Sequence, residues 1–463
     1  MLLEALKNIV GDFYVDPGES APAYYRKDES FGSDCDFDLL IKPGSVEELS
    51  EVLRTCYRHN IPVTVRGGGT GVTGGALPVR GGILISMERL NRVLSVDKKN
   101  RFAVVEAGVI TKDFCDAVEK EGMYFPVTPG SMSRSFIGGN IAENAAGIKS
   151  CKYGTFVDHV LNLEVVLASG EIIQTGANVH KNATGFNLTK LFVGSEGVLG
   201  VVSKAVLKIM PKPAFRSTLM MSFSSLQDAC GMVLKASSIY PCPCAVELVT
   251  KEAIRVAMPY LPSDFPLVAY CPEALLIVEW EEHEECGIAS AIASATKMAK
   301  TFDACQMIMT DEPQEIEKFW LVRNVISRAM TENNWIYRDI DSCVPPAELY
   351  GYLQRLEEIR NRYSVPLVCF GHAMEGNIHS MLLIPKSHQQ EAGTTSELVL
   401  QEIYKTVVAL GGAISGEHGI GSLQQPYLPI QFDPFMLDLM RRIKLVFDPA
   451  GTLNPGKLLL DID

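Results

Sequence analysis

The chain has 463 residues, of which 47% are hydrophobic and 21% are charged, and this composition is ordinary for a globular protein of two or three domains. Its formal net charge of −13 argues against nucleic acid or an anionic membrane as the main partner, because such partners require an excess of lysine and arginine. Any anionic ligand must therefore be held by local features of the chain.

The N-terminal stretch MLLEALKNIV carries Glu4 and Lys7 inside its apolar patch, and no later uncharged apolar run approaches the roughly 20 residues of a membrane span. We therefore expect a cytoplasmic protein without a transmembrane segment, in which any membrane association comes through a partner. The 12 cysteines are scattered singly, apart from Cys242 and Cys244. This spacing indicates neither a disulfide framework nor a zinc or iron–sulfur site, so we expect reduced thiols that are mostly buried.

A helix and a strand are predicted before the first glycine-rich segment. Ser45 and Glu48 have the spacing of a capping box ahead of an apolar helical face, and the β-branched run at residues 61–66 predicts a strand. The segment VRGGGTGVTGGALP follows at residues 65–78 and contains the pattern G-x-G-x-x-G. In a dinucleotide-binding fold a helix opens directly at such glycines. Here further glycines and Pro78 lead into another strand, ILISM, so the sequence argues against an NAD site.

The same loop still has a chemistry suited to phosphates. A glycine-rich turn with many free backbone N–H groups, and with Arg66 at its mouth, can surround a pyrophosphate. Taken alone, however, this loop is better explained as a flexible surface hairpin. Other parts of the chain must decide between the two interpretations.

Further glycine motifs follow in order: TPGS at 128–131, GGNIAENAAG at 138–147, KYG at 152–154 and LTKLFVGSEGVLGVVSKAVLKIMPKP at 188–213. Together with the first loop, this series resembles the flavin-binding domain of the vanillyl-alcohol oxidase/p-cresol methylhydroxylase (PCMH) superfamily. The resemblance points to the branch that contains the glycolate oxidase subunit, D-lactate dehydrogenase and D-2-hydroxyglutarate dehydrogenase, and it covers nearly the whole chain.

The resemblance implies FAD that is not covalently attached, since His159 and His180 do not fall in the pyrophosphate loop, where some relatives attach the flavin. Glycines suit this cofactor because they offer bare amides to phosphates and close backbone approach to the ring. Relatives often have threonine after GSEG, where this chain has Val198. The implied FAD-binding residues are Arg66, Gly67, Gly68, Gly69, Thr70, Gly71, Pro129, Gly130, Ser131, Gly138, Gly139, Asn140, Asn144, Gly147, Tyr153, Gly154, Gly197 and Val202.

The implied fold class is α+β, with a two-subdomain PCMH-type FAD-binding domain at residues 1–213. A ferredoxin-like α+β cap, the substrate domain, is inserted at 214–411. A C-terminal segment at 412–463 returns to complete the FAD domain and the active site. The cap prediction also rests on strand-like runs such as STLMMSF and ALLIVEW, which alternate with helix-like runs in a β-α-β order.

The segment FGHAMEGNIH places His372 and His379 around a Gly-Asn turn signal with extended runs on both sides, which predicts a hairpin that brings the two imidazoles together. This spacing alone does not favour a metal, since two histidines near a turn are often exposed or hydrogen-bonded. The loop SGEHGIG adds Glu417 and His418. Two histidines and one glutamate make a three-ligand set that leaves a metal position open for substrate.

The family's metal-dependent D-2-hydroxyacid dehydrogenases use such an arrangement. The resemblance implies that His372, His379 and Glu417 bind a divalent ion, Zn, Mn or Fe. It also implies that His418 is the base that takes the substrate's hydroxyl proton while hydride passes to flavin N5. Arg323 in WLVRN matches a family arginine at the substrate site, although a surface salt bridge explains it almost equally well.

Two departures from the family pattern bear on the substrate. Gln424 stands where a lysine is common after HGIG, and Asp339, beside Arg338, stands where some relatives have a basic residue. The sequence therefore offers fewer basic residues for a second substrate carboxylate than the family pattern does. This favours D-lactate, glycolate or a similar monocarboxylate over D-2-hydroxyglutarate.

Three classes of function remain. The first is the dehydrogenase, and the second is a non-redox transferase like the alkylglycerone-phosphate synthases, which share the flavin fold but do not need the histidine and glutamate set. The third is a flavin-carrying subunit of a larger complex. The implied partners are a small D-2-hydroxyacid and an electron acceptor such as an electron-transferring flavoprotein, an iron–sulfur subunit or a quinone. A homodimer and a hetero-oligomer both stay open, and no nucleic acid is expected.

Overall fold

The computed structural model describes residues 2–31, 34–266, 272–332, 335–385 and 392–459. The chain divides into two compact units. Unit 1 comprises Met1–Gly147, Gly154–Lys212 and Glu417–Asp463, and unit 2 comprises Ile148–Tyr153 and Pro213–Gly416. These limits differ from the predicted boundaries chiefly at residues 148–153 and 412–416, which belong to unit 2.

The helices and strands alternate along most of the chain. The helices are α1 Leu2–Val10, α2 Val46–Arg58, α3 Thr111–Lys120, α4 Ile137–Glu143, α5 Ser150–Tyr153, α6 Phe156–His159, α7 Leu188–Phe192, α8 Leu226–Ala236, α9 Lys251–Ala257, α10 Glu285–Thr301, α11 Pro313–Asn324, α12 Ile326–Glu332, α13 Leu349–Tyr363, α14 Ala392–Ala409, α15 Leu428–Gln431 and α16 Pro434–Phe447. The strands are β1 Val15–Pro17, β2 Leu39–Ile41, β3 Val63–Arg66, β4 Ile83–Ser86, β5 Val93–Asp97, β6 Phe102–Glu106, β7 Met123–Tyr124, β8 Val160–Val166, β9 Ile172–Gln174, β10 Val201–Lys208, β11 Met210–Pro211, β12 Phe215–Phe223, β13 Ala245–Thr250, β14 Ala274–Glu282, β15 Ala304–Thr310, β16 Trp335–Cys343, β17 Leu367–His372 and β18 Asn377–Pro385.

Unit 1 contains two main sheets. The first has the order β1-β2-β4-β3, in which β2, β4 and β3 are parallel and β1 is antiparallel to β2. The second is antiparallel with the order β5-β6-β10-β8-β9, and β7 and β11 form a separate pair. The predicted N-cap is present, since Ser45 Oγ accepts from the Glu48 N–H at 3.2 Å. The Glu48 carboxylate accepts from the Gly44 N–H at 2.7 Å rather than from that of Ser45, so the predicted capping box is formed only in one direction. Helix α2 buries Leu49 and Val52 in the core of this unit.

The glycine-rich loop joins two parallel strands. Val63 of β3 pairs with Ile83 of β4, and residues 67–82 between the two strands contain no helix. The prediction that a dinucleotide-fold helix is missing is therefore confirmed. The interpretation as a hairpin is wrong, because the two strands of a hairpin are antiparallel.

Unit 2 is built on one antiparallel sheet with the order β15-β12-β14-β13-β17-β18-β16. The first four strands, connected through α8 and α10, have the β-α-β-β-α-β connectivity of a ferredoxin-like fold, as predicted. The sequence did not predict that three more strands extend this sheet at the β13 edge. Two of them, β17 and β18, carry the predicted histidines.

The short segment Ile148–Tyr153 is tied to the sheet of unit 2 by polar side chains. Lys149 pairs with Glu281, and Lys152 Nζ pairs with a carboxylate oxygen of Glu282 at 2.8 Å. All described cysteines are free thiols, and only Cys286 and Cys305 among them are exposed. Within the described ranges, none of the helices combines the length and the apolar character needed to cross a membrane.

Candidate functional site

The glycine-rich loop after β3 has no room for side chains at two positions. A Cβ atom on Gly68 would collide with the carbonyl oxygen of Arg134. A Cβ atom on Gly69, whose φ is +67°, would collide with the guanidinium of Arg66. Glycine is required at both positions, and the loop backbone can therefore lie directly against Arg66.

Arg66, the last residue of β3, is buried, and one nitrogen of its guanidinium group can still donate a hydrogen bond to a ligand. Its Nη2 donates to the carbonyl oxygen of Tyr24 at 3.0 Å, whereas Nη1 has no hydrogen-bond partner among the described residues. Burial lowers the pKa of Arg66. A buried cationic group with an unsatisfied N–H is costly unless an acceptor completes it, so this position suits an anionic ligand.

Helix α4 forms a second wall beside the loop. Gly138 packs against Ala107, because a Cβ atom there would lie 2.7 Å from the Ala107 Cβ. Gly139 differs, since no atom lies within 4 Å of a Cβ built on it. This open space lets a ligand approach the backbone of the helix closely.

Two cavities in unit 1 share part of their lining. The first is mainly apolar and is lined by Val65, Gly67, Met87, Ala107, Gly138, Gly139, Ala142, Phe192, Ser195, Glu196, Gly197, Gly200, Val201, Val202 and Asn454. The second is lined by Val65, Gly67, Gly68, Gly69, Thr70, Gly71, Gly75, Ala76, Ser135, Phe136, Gly139, Asn140, Ala142, Glu143 and Glu196. An apolar cavity beside a glycine-lined one fits a ligand that combines a flat ring with phosphates, as FAD does.

The predicted cofactor residues fall into two groups. Those that line the cavities are Gly67, Gly68, Gly69, Thr70, Gly71, Gly138, Gly139, Asn140, Gly197 and Val202. Those outside these linings are Arg66, Pro129, Gly130, Ser131, Asn144, Gly147, Tyr153 and Gly154. Asn144 has a clear local role, because its side-chain oxygen accepts from the Val157 N–H at 2.9 Å. Cofactor binding by the residues of both groups stays a prediction.

Sequence reasoning missed two carboxylates at the second cavity, those of the half-buried Glu143 and the buried Glu196. Burial raises the pKa of Glu143 to about 8, and the charge of Glu196 adds to this effect. Burial also raises the pKa of Glu196, whose carboxylate accepts from the N–H groups of Ile420 and Gly421 at 2.7 Å each. Glu143 lies in the motif AENAAG and Glu196 in GSEG. Their place inside motifs assigned to the cofactor could have identified them as cavity residues, but only glycines and Asn144 were considered there.

The segment NPGK near the C-terminus also contributes polar groups that were not predicted. Asn454 donates from Nδ2 to the carbonyl oxygen of Glu196 at 3.0 Å and accepts from the Val65 N–H at 3.0 Å. Burial lowers the pKa of Lys457 to about 7, although nearby Asp28 and Glu196 act in the opposite direction. This segment therefore ties the wall of the first cavity to β3.

In unit 2, the predicted hairpin is present and brings the two histidines together. Strands β17 and β18 pair in antiparallel register, with His372 opposite Asn377 and Phe370 opposite His379. The imidazole rings of His372 and His379 are buried and perpendicular, with centroids 5.6 Å apart. Two buried imidazoles at this separation can supply nitrogen ligands to one ion.

A buried carboxylate fixes the orientation of the first histidine. Glu247 of β13 lies 2.8 Å from His372 Nδ1 through Oε2 and 2.5 Å from Arg323 Nε through Oε1. Burial acts to raise the pKa of Glu247, but His372 and Arg323 outweigh it and hold the pKa at about 2. An ionised Glu247 can only accept, so Nδ1 of His372 carries a proton. Whenever the ring is in its neutral form, Nε2 therefore carries the lone pair.

Arg323 does not form the exposed surface salt bridge that was the alternative interpretation of the sequence, because its partner Glu247 is buried. Besides its bond to Glu247, its guanidinium carbon lies 4.3 Å from the ring centroid of Phe370. The Arg323 side chain extends from α11 and is thereby held against the sheet that carries the two histidines. Its fixed position is compatible with the predicted contact to substrate, which stays a prediction.

A second buried acid orders the chain next to the predicted loop. Asp341, which is opposite His379 in the β16–β18 register, accepts from Asn377 Nδ2 at 2.7 Å and from the Gly416 N–H at 2.9 Å. Gly416 is the last residue of unit 2, and Glu417 opens the last part of unit 1. Within unit 1, the carbonyl oxygen of His418 accepts from Thr73 Oγ1 at 3.2 Å.

Another group in unit 2, Cys244, Glu279 and Glu281, has the composition of a metal site but a different function. Lys149 lies 3.7 Å from Glu279 and pairs with Glu281, and Arg216 binds Glu279 at 2.8 Å. Two cations thus balance two carboxylates. We interpret this group as a buried salt-bridge network.

Two family descriptions match the chain. Residues 37–176 match "FAD binding domain", and residues 212–458 match "FAD linked oxidases, C-terminal domain". The second match covers more than half of the chain.

Individual relatives agree with these matches. The chain is 34% identical over 421 residues to the glycolate oxidase subunit GlcD of Bacillus subtilis, covering 91% of this chain and 88% of that protein. It is 35% identical over 421 residues to a D-lactate dehydrogenase of Archaeoglobus fulgidus, covering 91% of each. Among solved structures, p-cresol methylhydroxylase with bound substrate has a TM-score of 0.81 at 16% identity, covering 99% of this chain and 96% of that one, and so it supports the fold.

Proposed function

Because the chain belongs to the FAD-linked oxidase family, we propose that it oxidises a small D-2-hydroxyacid to the 2-oxoacid. It is an FAD-linked oxidoreductase of the type that includes glycolate oxidase, D-lactate dehydrogenase and D-2-hydroxyglutarate dehydrogenase. D-lactate and glycolate are the favoured substrates. The reaction uses FAD that is bound without a covalent link and one divalent metal ion. The observation that carries this proposal is the buried His372–His379 pair with Glu247 behind it.

Bound FAD would supply the hydride acceptor, and a divalent ion, Zn, Mn or Fe, would supply positive charge next to the substrate's hydroxyl and carboxylate groups. His372 and His379 are the proposed nitrogen ligands. Glu247 supports this role, since a carboxylate that accepts from Nδ1 fixes a metal-binding ring and makes it more basic. Glu417, which follows Gly416 in the chain, is the proposed third ligand.

His418 is the proposed base. A histidine has an unperturbed pKa near neutrality, so it can accept a hydroxyl proton at the pH of the cell and release it afterwards. We assign Glu417 to metal binding and His418 to proton transfer, as the resemblance implies. In the loop, Glu417 Oε1 lies 3.8 Å from His418 Nε2. Arg323 would orient the substrate carboxylate with the guanidinium N–H groups that Glu247 does not use.

The surroundings of His379 favour a substrate with one carboxylate. Asp339 Oδ1 lies 3.8 Å from His379 Nδ1, and the neighbouring Arg338 is paired with Glu397 at 3.5 Å. A second carboxylate would meet a like charge at Asp339. This supports D-lactate or glycolate over D-2-hydroxyglutarate.

The electrons must then leave the reduced protein. We propose a separate acceptor, either an electron-transferring flavoprotein, an iron–sulfur subunit or a quinone. The chain lacks the cysteine motifs of an iron–sulfur cluster, so it does not carry such an acceptor itself. The relative in Bacillus subtilis is named as a subunit, which supports a partner in this role.

The test is an anaerobic titration of the purified protein with D-lactate, L-lactate, glycolate and D-2-hydroxyglutarate, followed at the flavin absorbance. We expect bleaching by D-lactate and by glycolate, with L-lactate inactive. Reduction by D-2-hydroxyglutarate at a much lower concentration than by D-lactate would contradict the preference for one carboxylate. An oxidised flavin with every acid would contradict the dehydrogenase itself.

Replacing Gly139 with alanine is expected to weaken FAD binding by at least tenfold without destabilising the FAD-free protein. The added Cβ meets no protein atom, and alanine favours a helix over glycine by about 1 kcal/mol. The space that it enters is the proposed cofactor space. Flavin fluorescence titration of the apoprotein, together with its thermal midpoint, measures both effects.

Gly351→Ala is the matched control, since Gly351 lies in α13 and its added Cβ would be 3.9 Å from the nearest atom outside the helix backbone. The control should keep wild-type FAD affinity. Unchanged affinity in Gly139→Ala would place the cofactor elsewhere. For the wild type, acid precipitation should release all flavin into the supernatant, and colour in the pellet would contradict non-covalent binding.

A further inference from the structure

A buried carboxylate in unit 1 connects segments that are far apart in the sequence. Glu196 accepts from the Ile420 N–H through Oε1 and from the Gly421 N–H through Oε2, both at 2.7 Å. Its own N–H donates to the Ala142 carbonyl oxygen at 2.8 Å, and its carbonyl oxygen accepts from Asn454 Nδ2 at 3.0 Å. Backbone and side chain of Glu196 are thus both fixed.

The backbone of Glu196 has a conformation that non-glycine residues rarely adopt. The φ of Glu196 is 50°, which lies in the left-handed region. The next residue, Gly197, also has a positive φ, 70°, but glycine adopts this conformation without strain. A side chain in this region persists when the surrounding bonds compensate for the strain. The two bonds to Ile420 and Gly421 are such a compensation.

The loop that Glu196 holds is the loop of the proposed base. Gly419 has φ +74°, and a Cβ atom on it would lie 2.9 Å from Glu196 Oε1. On the other side, the Thr73 carbonyl oxygen accepts from the N–H groups of Ser422 and Leu423 at 3.0 and 3.1 Å. The backbone that follows His418 is therefore clamped between Glu196 and the glycine-rich loop.

We propose that Glu196 is the positioning residue for His418: its carboxylate fixes residues 419–421 and thereby sets the direction of the His418 imidazole. The assignment rests on the proposed function in so far as His418 is the base there. A carboxylate is needed because it offers an acceptor to each of two N–H groups. A glutamine would offer one acceptor and turn a donor towards the other N–H.

The test starts from Glu196→Gln, in which size is kept and one acceptor is lost. We expect the rate of flavin reduction at saturating D-lactate to fall about 10- to 100-fold, since a misplaced catalytic group of this kind has that effect. The half-saturating D-lactate concentration should change less than about threefold, because Glu196 is not a substrate contact in this proposal. FAD content should stay stoichiometric, because glutamine keeps the size of the side chain that lines the two cavities.

Two further variants separate positioning from general damage. Glu48→Gln is the control, because the Glu48 carboxylate also accepts a backbone N–H, from Gly44 at 2.7 Å, but lines neither cavity. It should reduce at the wild-type rate. Gly419→Ala disturbs the same contact from the loop side and should slow reduction as Glu196→Gln does. The double variant should lose no more than the slower single variant, since both act on one contact.

A second measurement does not depend on catalysis. Amide hydrogen exchange at Ile420 and Gly421 should become faster in Glu196→Gln than in the wild type, with no change in Glu48→Gln. If the wild type is not reduced by any D-hydroxyacid, the proposed function fails and exchange alone decides the clamp. Wild-type reduction rates in Glu196→Gln, or unchanged exchange at both amides, would overturn the proposal.

Discussion

Replacing His418 with alanine is expected to slow the reduction of bound FAD by D-lactate by about 10²–10⁴-fold, which is the usual contribution of general acid–base catalysis. The imidazole is the proposed acceptor of the substrate's hydroxyl proton, and alanine leaves no group that can replace it. FAD and metal contents should stay at wild-type levels, since the clamp on this loop acts through the backbone at residues 419–421. Single-turnover stopped-flow reduction measures the effect without the later transfer to an acceptor.

The control is His180→Ala, in which an exposed histidine of the same unit, bonded to the Asn100 carbonyl oxygen, is removed. It should reduce at the wild-type rate. Added metal should not rescue His418→Ala. Near-normal reduction in His418→Ala would remove it as the base, and loss of metal in that variant would mean that the roles of Glu417 and His418 are reversed.

Local pattern carried much of the prediction of the fold. The Ser45 N-cap, the strand before the glycine loop and the hairpin between His372 and His379 are each encoded within a few residues. Turn chemistry and apolar periodicity act over such distances, so sequence alone is sufficient. The same holds for β12 and β14 of the ferredoxin-like part of unit 2, which correspond to the runs STLMMSF and ALLIVEW.

Long-range partners could not be predicted in this way. Glu247 and His372 are 125 residues apart, and Glu196 and Gly421 are 225 residues apart. Neither acid lies in a local pattern that indicates its partner. Glu196 in addition lies between the glycines of GSEG, which directed attention to the backbone of that motif. The parallel pairing of β3 with β4 was missed for a related reason, because a glycine-rich connection without a helix usually indicates antiparallel strands.

The structure changed the interpretation of the charged residues around the two histidines more than that of the fold. From the sequence, Arg323 was almost as well explained by a surface salt bridge, and no acid was assigned behind the histidines. The contacts of the buried Glu247 join the buried His372 and the partly buried Arg323 into one set of interacting groups. Chemistry of this kind depends on which groups share a desolvated space, and linear spacing does not report that.

The double variant His372→Ala/His379→Ala is expected to lose its divalent metal and its D-lactate activity while it keeps FAD. Both proposed nitrogen ligands disappear, whereas the glycine loop and α4 belong to unit 1 and are unchanged. Elemental analysis of the purified protein gives the metal content, and absorbance gives the flavin content. His283→Ala is a suitable control, because His283 is exposed in the same unit as the two proposed ligands.

Glu417→Gln distinguishes a ligand from a base within the same dipeptide. A glutamine keeps one weaker oxygen ligand, so this variant should bind metal less tightly and should recover part of its flavin reduction when excess metal is added. His418→Ala should not recover, and the double histidine variant should recover least, because it retains no imidazole at the proposed site. Stoichiometric metal in the double histidine variant would place the ion elsewhere. A Glu417→Gln protein that keeps full metal and full activity would remove Glu417 from the ligand set, and the proposed site would then need another third ligand.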